Sequence, residues 1–228
     1  MRLPVTPATT LWRELRDEVR HLFGGGRVVI AVDGIDGAGK ATFADGLAEV
    51  FAEAGSSVYR ASMAGFHRPR AERFARGRGS AEGYYRDAFD LATFRRVLLD
   101  PFRDGAQTAG ATGFQLTAFD VVRDAPAEAQ WVTAPRDAVL IVDGVFLHRL
   151  ELRDLWDWSL WLDVPEKVAD ARLAIRDGSD PDPAAPANVL HREAQELYRR
   201  EAQPELAASA IVDNGDLSHP RRVFRDFC

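Results

Sequence analysis

Hydrophobic residues occur along this chain in short, near-continuous runs, and longer stretches between the runs carry them at every third or fourth position. The runs predict five strands of a parallel sheet, because a strand covered by helices on both faces has no side that must be polar. The strands are expected at Arg27–Asp33, Ser57–Met63, Ala138–Asp143, Trp158–Val164 and Ala210–Asp213. A further short strand is expected over Phe114–Val122. Strands that alternate with helices indicate an α/β fold.

The periodic stretches predict the intervening helices. Thr9 or Thr10 is expected to cap the first helix, and Pro101 to end a helix over Leu91–Leu99. Proline removes a backbone donor, so it is typical of the first turn of a helix and breaks its interior. Two later helices are expected over Pro165–Asp177 and Asn188–Gln203.

Composition narrows the class of protein. The 228 residues are 46% hydrophobic, which suits a single domain (1–228) with a sizeable core. The net charge of −6 argues against a general nucleic-acid binder, and no apolar run approaches the length that crosses a membrane. The only cysteine, Cys228, excludes an intrachain disulfide and favours a reducing compartment. We therefore expect a cytoplasmic protein without nucleic-acid or membrane partners; homo-oligomerisation is left open.

One lysine stands in a setting typical of a phosphate-binding loop. The chain has 29 Lys and Arg together, of which only two are lysines, and Lys40 ends the run Gly34–Lys40 between the first strand and a helix. Glycines in such a loop let backbone N–H groups face an anion, the following helix adds its positive end, and the lysine reaches the outer phosphates. The predicted nucleotide-binding residues are Gly34, Asp36, Gly37, Ala38, Gly39, Lys40, Ala41 and Thr42.

Two positions in this loop leave alternatives open. Asp36 is either a turn residue or an acid beside the phosphates. The full motif needs Ser or Thr after the lysine to hold Mg²⁺, but this chain has Ala41, with Thr42 one place late.

A second acid is expected where a neighbouring strand ends. Asp143 closes the apolar strand Ala138–Asp143, and ligands of open α/β sheets bind outside the carboxyl ends of the strands. Asp143 therefore fits an acid that positions Mg²⁺ through water. The alternative is that it caps the next turn.

Four stretches together resemble the uridine kinase and phosphoribulokinase branch of the P-loop kinases, and most of all bacterial uridine-kinase-like proteins. They are Val32–Lys40, Phe66–Arg70, Gly83–Asp90, and Asp143–Phe146 with Asp163–Pro165 behind it. The resemblance implies a P-loop NTPase fold with a five-stranded parallel sheet in the order 2-3-1-4-5, helices on both faces, and a helical lid from Arg172 to about Gln203. It also implies ATP and Mg²⁺ as cofactors, and transfer of the γ-phosphate to a hydroxyl of a small substrate, first of all a nucleoside.

The same resemblance suggests roles for individual residues. Lys40, Arg172 and Arg176 would handle phosphates, and Asp143 would position the metal. The substrate would face Arg68, Tyr84, Tyr85 and Asp87. The two tyrosines could stack on a base or pack the loop, and the arginines between His67 and Ser80 could instead form a solvated face.

The chain departs from the family pattern in three places besides Ala41. The family has an aspartate base after the second strand, where this chain has Ala64. Asp124 stands where uridine kinases have a histidine that contacts uracil, and the segment 178–187 lacks the arginines of the family's lid. These departures support a second hypothesis, a catalytically impaired nucleotide-binding protein with a regulatory or interaction role.

Overall fold

The computed structural model describes residues 2–105, 112–180 and 182–224, so Cys228 lies outside the described part of the chain. Its strands are β1 (Val28–Gly34), β2 (Val58–Ser62), β3 (Phe114–Gln115), β4 (Phe119–Asp120), β5 (Ala125–Pro126), β6 (Trp131–Val132), β7 (Val139–Asp143), β8 (Trp158–Asp163), β9 (Ala210–Asp213) and β10 (Arg221–Val223).

Six strands form one central sheet in the order β2-β7-β1-β8-β9-β10. The first five run parallel, and β10 is antiparallel to β9. The predicted α/β class with a parallel sheet is confirmed. The expected count of five is corrected by β10, whose sequence Arg221-Arg222-Val223 lacks the apolar run that marks the other strands.

The segment Phe114–Val122 does not form the expected continuous strand. Its β3 pairs with β6 and its β4 with β5, in two small antiparallel ladders outside the central sheet. Between them, Ala118 N donates to Gly65 O at 2.8 Å and Thr117 Oγ1 donates to the same oxygen at 3.2 Å. These bonds to the turn after β2 replace the ladder that a longer strand would need.

The helices are α1 (Pro7–Leu22), α2 (Lys40–Glu53), α3 (Arg70–Arg73), α4 (Ala81–Asp87), α5 (Leu91–Phe94), α6 (Asp100–Asp104), α7 (Glu166–Asp177), α8 (Pro186–Ala202) and α9 (Pro204–Ala207). The cap of α1 is Thr6, three residues earlier than the earliest expected cap, because Thr6 and Thr9 form a capping box in which each side chain accepts from the other residue's N–H.

Pro101 does not end the helix that begins at Leu91. A π-helical turn over Arg95–Leu99 joins α5 to α6, and Pro101 lies in the first turn of α6. Proline's missing N–H is tolerated there, since the preceding turn already departs from the α-helical ladder.

The carboxyl ends of β7, β1 and β8 lie side by side in the sheet, next to the loop that follows β1. All residues of β1 and β7 are buried, which explains their continuous apolar runs. β1 lies between β7 and β8, so its carboxyl end is flanked by those of both neighbours. Across the residues described, no helix has the length and apolar character to cross a membrane.

Candidate functional site

The glycine-rich segment forms a tight loop between β1 and α2. Gly37 and Gly39 have φ angles of +78° and +83°, which disfavour any side chain. A Cβ at Gly37 would stand 2.4 Å from the carbonyl oxygen of Ala169 on α7. The loop is therefore packed closely against α7. Gly39 brings no side chain to cap α2, so the N–H groups of the first turn remain available to an anion.

Lys40 begins α2 and folds back over this loop. Its Nζ donates to the carbonyl oxygen of Ile35 at 2.7 Å. Burial lowers the pKa of Lys40, and the nearby carboxylates of Asp36, Asp33 and Asp143 oppose that shift. The lysine is thus held against the loop and lies among three acids.

A cleft of about 280 Å³ opens beside the loop. It brings together all four residues predicted to be catalytic: Lys40, Asp143, Arg172 and Arg176. Ala41 and Thr42 line the same cleft from the first turn of α2. Residues from β7, α2 and α7, remote in sequence, therefore surround one space large enough for a chain of phosphates.

The two arginines reach this cleft from α7. The Nη2 of Arg172 donates to the carbonyl oxygens of Asn214 and Gly215, both at 2.9 Å. Its buried Nη1 has no hydrogen-bond partner within the described chain, and burial lowers the pKa of the guanidinium. Arg176 is more exposed and pairs with Asp177 at 2.7 Å, which raises its pKa. Arg172 is therefore fixed in place with its Nη1 group unbonded, whereas the exposed side chain of Arg176 is free to change its conformation.

The carboxylate of Asp143 is already engaged. Arg60 on β2 donates to its Oδ1 at 2.8 Å, and Ser62 donates to its Oδ2 at 3.2 Å. The Arg60 Nε also donates to Asp45 Oδ1 on α2 at 2.9 Å, so one guanidinium bridges two acids.

These contacts bear on whether the site can hold Mg²⁺. Ala41, at the position where the full motif has a hydroxyl, offers only a methyl group, and Asp143, the residue expected to position the ion, is bound to Arg60. Within the described residues, no group of three or more His, Cys, Asp and Glu side chains could hold a metal ion. The residues present therefore do not fit a Mg²⁺ held by the protein.

A buried network fixes the start of the loop. The Asp33 carboxylate at the end of β1 accepts from Gly34 N at 2.7 Å, from His148 Nδ1 at 2.8 Å and from the hydroxyl of Tyr198. The other ring nitrogen of His148 lies 2.9 Å from Ser159 Oγ. The imidazole thus bridges the Asp33 carboxylate and the Ser159 hydroxyl. The sequence carries no local signal for this network, because His148 lies 115 residues from Asp33.

Among the residues predicted to face the substrate, Tyr84 lies beside the loop. Its hydroxyl is 3.2 Å from both carboxylate oxygens of Asp36, and burial raises its pKa well above the usual value. Its ring contacts Phe146 and tilts against His191. Tyr84 therefore joins the phosphate loop to α8.

The other three are placed differently. Tyr85 is buried and packs against Phe146 and Tyr198. Asp87 accepts from Arg76 at 2.7 Å. Arg68 donates to the carbonyl oxygen of Phe89 at 3.2 Å. None of the three lines the cleft beside the loop or the cleft described next.

A second cleft, of about 220 Å³, is lined in part by Tyr84. The aromatic and basic side chains that line it are His67, Arg73, Phe74, Arg78, Tyr84 and His191. Asp124, where the resemblance to uridine kinases would place a histidine, accepts from Arg70 N at 2.9 Å and from Arg73 at 3.3 Å. It therefore holds the arginine-rich loop in place. His191, on α8, was not anticipated from the sequence because only the fold brings it beside Tyr84.

No family model matches the chain, but solved structures share its fold. A possible uridine kinase from Bacillus stearothermophilus is 23% identical, with a TM-score of 0.61 over 87% of this chain and 98% of that one. A protein provisionally named as a fructose transport system kinase of Silicibacter sp. TM1040 is 26% identical, with a TM-score of 0.59 over 90% and 96%. Phosphoribulokinase from Rhodobacter spheroides is 16% identical, with a TM-score of 0.53 over 82% and 70%. The expected P-loop fold is confirmed, and its relatives in structure are kinases named for different substrates.

Proposed function

We propose that this protein is an ATP-dependent kinase that transfers the γ-phosphate of ATP to a hydroxyl of a small substrate. One observation carries the proposal: the loop Gly34–Lys40, Lys40 itself, Arg172 and Arg176 surround a single cleft. A glycine-rich loop at a helix N-terminus binds phosphate groups, and two nearby arginines supply the charge that a transferring phosphoryl group needs. The kinases among its structural relatives support the same chemistry.

The proposed mechanism depends on position and charge. Phosphoryl transfer passes through a loose transition state, so alignment and charge neutralisation supply most of the catalysis. Lys40 and the free Nη1 of Arg172 neutralise the phosphates, and Arg176 moves onto the γ-phosphate when its exposed pair with Asp177 opens. Tyr84, which lines the second cleft and whose hydroxyl lies 3.2 Å from the Asp36 carboxylate of the loop, holds the acceptor hydroxyl toward the phosphate.

The first candidate acceptor is a nucleoside, as the resemblance to uridine kinases implies. The aromatic rings of Tyr84 and Phe74 at the second cleft could stack against a base. The single-domain organisation, the cytoplasmic location, the lack of nucleic-acid and membrane partners, and the oligomeric state stay predictions from the sequence.

A screen for ADP release tests the proposal. Purified protein is given ATP with nucleosides, sugars, sugar phosphates or pantothenate, and ADP is measured against an ATP-only blank. Lys40→Ala should abolish release, while Lys167→Ala, which alters the only other lysine, should leave it unchanged. If no substrate raises release above the blank, the kinase proposal fails.

A second candidate function is nucleotide binding without significant catalysis. Three observations favour it: Ala41 lacks the metal-binding hydroxyl, Ala64 lacks the family's base, and Arg60 engages Asp143. A general base is typically worth ~10²–10⁴-fold in rate, so its loss alone is substantial. ATP binding in calorimetry, combined with no ADP release on any substrate, would establish this candidate over the first.

A further inference from the structure

The acid that lines the cleft beside the loop has a cation of its own. Arg60 donates from Nη2 to Asp143 Oδ1 at 2.8 Å and from Nη1 to the carbonyl oxygen of Ile141 at 2.9 Å. Its Nε donates to Asp45 Oδ1 at 2.9 Å. Every nitrogen of the guanidinium is therefore bonded, and the contacts with Ile141 and Asp45 hold it between β7 and α2. Ser62 donates to the other oxygen of Asp143 at 3.2 Å.

This pairing occupies the charge that a metal ion would meet. A guanidinium stays protonated in proteins, so Arg60 balances Asp143 at every pH at which the carboxylate is ionised. The Asp143 side chain is only 9% exposed, which limits screening of the pair by salt. A Mg²⁺ positioned by Asp143 would have to compete with Arg60 for this carboxylate, and Ala41 adds no hydroxyl that would favour the ion.

The pairing also changes the charge that a nucleotide meets. As far as the chain is described, the charged side chains that line the cleft are those of Lys40, Arg172 and Arg176, with Asp143 as the acid among them. A carboxylate beside a chain of phosphates repels it, and like charges placed together weaken binding strongly. With Arg60 bound to Asp143, that repulsion is cancelled and the lysine and the two arginines act on the phosphates unopposed.

We propose that the affinity of the phosphate loop for ATP does not depend on a divalent cation, because Arg60 neutralises Asp143 in place of the metal. The inference rests on the proposed function, which takes ATP as the ligand of the loop, and it specifies how the charge of that site is balanced. Arg60 acts through Asp143 and is therefore a positioning residue. Its role is visible in the metal dependence of binding, which can be measured without turnover.

Calorimetry on the full chain tests this with ATP in MgCl₂ and in EDTA, at equal ionic strength. The two dissociation constants of the wild-type protein should agree within about twofold. Arg60→Gln keeps an amide of similar reach but no charge. Its affinity in EDTA should fall at least about tenfold, since the unpaired Asp143 then repels the phosphates. MgCl₂ should restore most of this loss in the variant, because carboxylate and phosphate oxygens are both ligands of Mg²⁺.

Two further variants separate this effect of charge from damage to the fold. Arg60→Gln/Asp143→Asn removes the unpaired carboxylate, so its affinity in EDTA should return to within about threefold of the wild-type value and gain nothing from MgCl₂. Arg95→Gln alters an arginine that lies 4.0 Å from Asp100 in a half-exposed pair, and it should match the wild-type protein in both buffers. A damaged fold would instead lower the affinity of Arg60→Gln equally in both buffers, and the second substitution would not rescue it.

The remaining outcomes overturn the inference. Wild-type protein that binds ATP at least about tenfold more tightly in MgCl₂ than in EDTA depends on the metal, a result that leaves the kinase proposal standing. If Arg60→Gln changes ATP binding in neither buffer, or equally in both, Arg60 does not stand in for the metal.

The same measurements distinguish this inference from the proposed function. Equal ATP binding by the wild-type protein in the two buffers, metal dependence in Arg60→Gln, and no ADP release on any acceptor would support the inference and refute the kinase. Absence of ATP binding in both buffers would refute both.

Discussion

Replacing Arg60 tests whether this side chain, and not a metal ion, balances the charge of Asp143. In the wild-type protein the guanidinium lies 2.8 Å from Asp143 and 2.9 Å from Asp45. Arg60→Gln leaves an amide of similar reach but no charge. The variant therefore leaves the Asp143 carboxylate, and that of Asp45 nearby, without the guanidinium that both accept from.

The expected loss of stability follows from burial. The Asp143 side chain is 9% exposed and that of Arg60 is 23% exposed. Removing one partner of a fully buried pair costs about 3–5 kcal/mol, whereas an exposed pair contributes at most about 1 kcal/mol. Because Arg60 is partly solvated and glutamine keeps one donor, we expect Arg60→Gln to lower the free energy of unfolding by about 1–3 kcal/mol.

Magnesium should then recover part of this loss in the variant alone. Carboxylate oxygens are the ligands that Mg²⁺ prefers, and Asp143 and Asp45 become free to offer them. With a dissociation constant of about 1 mM, ~10 mM Mg²⁺ would stabilise the variant by about 1.4 kcal/mol. The wild-type protein, whose guanidinium occupies the same oxygens, should gain nothing.

Thermal and urea unfolding with MgCl₂ or with EDTA measures both effects. Arg95→Gln is the matched control, since that arginine lies 4.0 Å from Asp100 and both side chains are about half exposed. If Mg²⁺ stabilises the wild-type protein as much as the variant, Arg60 does not occupy the metal's place. If Arg60→Gln is as stable as Arg95→Gln, the pair with Asp143 carries no net stability.

Two further predictions concern the packing of the loop and stability at low pH. Gly37→Ala adds a Cβ 2.4 Å from the carbonyl oxygen of Ala169 and should weaken ATP binding at least about tenfold in calorimetry. The control is Gly55→Ala, where φ is a similar +86° but the space is open, so this variant should lose only the left-handed strain of about 1–2 kcal/mol from its free energy of unfolding. Equal ATP affinity in the two variants would contradict the close packing. The hydrogen bond from Arg13 and that from a backbone N–H lower the pKa of Glu53 from 4.5 to about 2, so this carboxylate stabilises the fold above pH 4.5 and loses that effect as the pH falls toward 2. Unfolding curves of the wild-type protein and Glu53→Gln should therefore differ at pH 7 and converge near pH 2, and a constant difference would refute the assignment.

The parts of the site that sequence predicts are those that local spacing encodes. The glycines of the loop, Lys40 at the start of α2, and Asp143 at the end of an apolar strand are each defined by a few neighbouring residues. The fold then brings Arg172 and Arg176 to the same cleft, because α7 follows the strand next to β1. Placement of these residues could be anticipated once the order of the strands was assumed.

Other features depend on contacts between residues that are far apart in the sequence. Arg60 and Asp143 are 83 residues apart, and no motif near either residue predicts that they pair. Tyr84 and Tyr85 are adjacent and chemically alike, yet Tyr84 lines the second cleft and Tyr85 is buried in the core. On a short helix such as α4, consecutive side chains point about 100° apart, and only tertiary packing decides which of them meets the core.

Restoring the two missing groups separates a weakened kinase from a binding protein. Ala41 lines the cleft beside the loop, on the first turn of α2, and Ala64 is exposed on the turn after β2. Ala41→Thr should supply a hydroxyl to Mg²⁺ and make ATP binding tighter with the metal than without it. Ala64→Asp should supply a base, worth ~10²-fold or more in rate if it reaches the acceptor's proton.

The double variant carries the decisive comparison. The two groups act on different parts of one transition state, so ADP release by Ala41→Thr/Ala64→Asp should exceed that of either single variant. The assay uses the wild-type protein and all three variants with uridine, a nucleoside panel and ribose 5-phosphate, each against an ATP-only blank. A double variant that binds Mg-ATP more tightly but stays at the blank on every acceptor would mean that the acceptor site is lost, because metal and base would then be present without a hydroxyl to receive the phosphate. In that case the kinase proposal would be abandoned, and nucleotide binding would be the function that the loop, Lys40 and the two arginines of α7 still support.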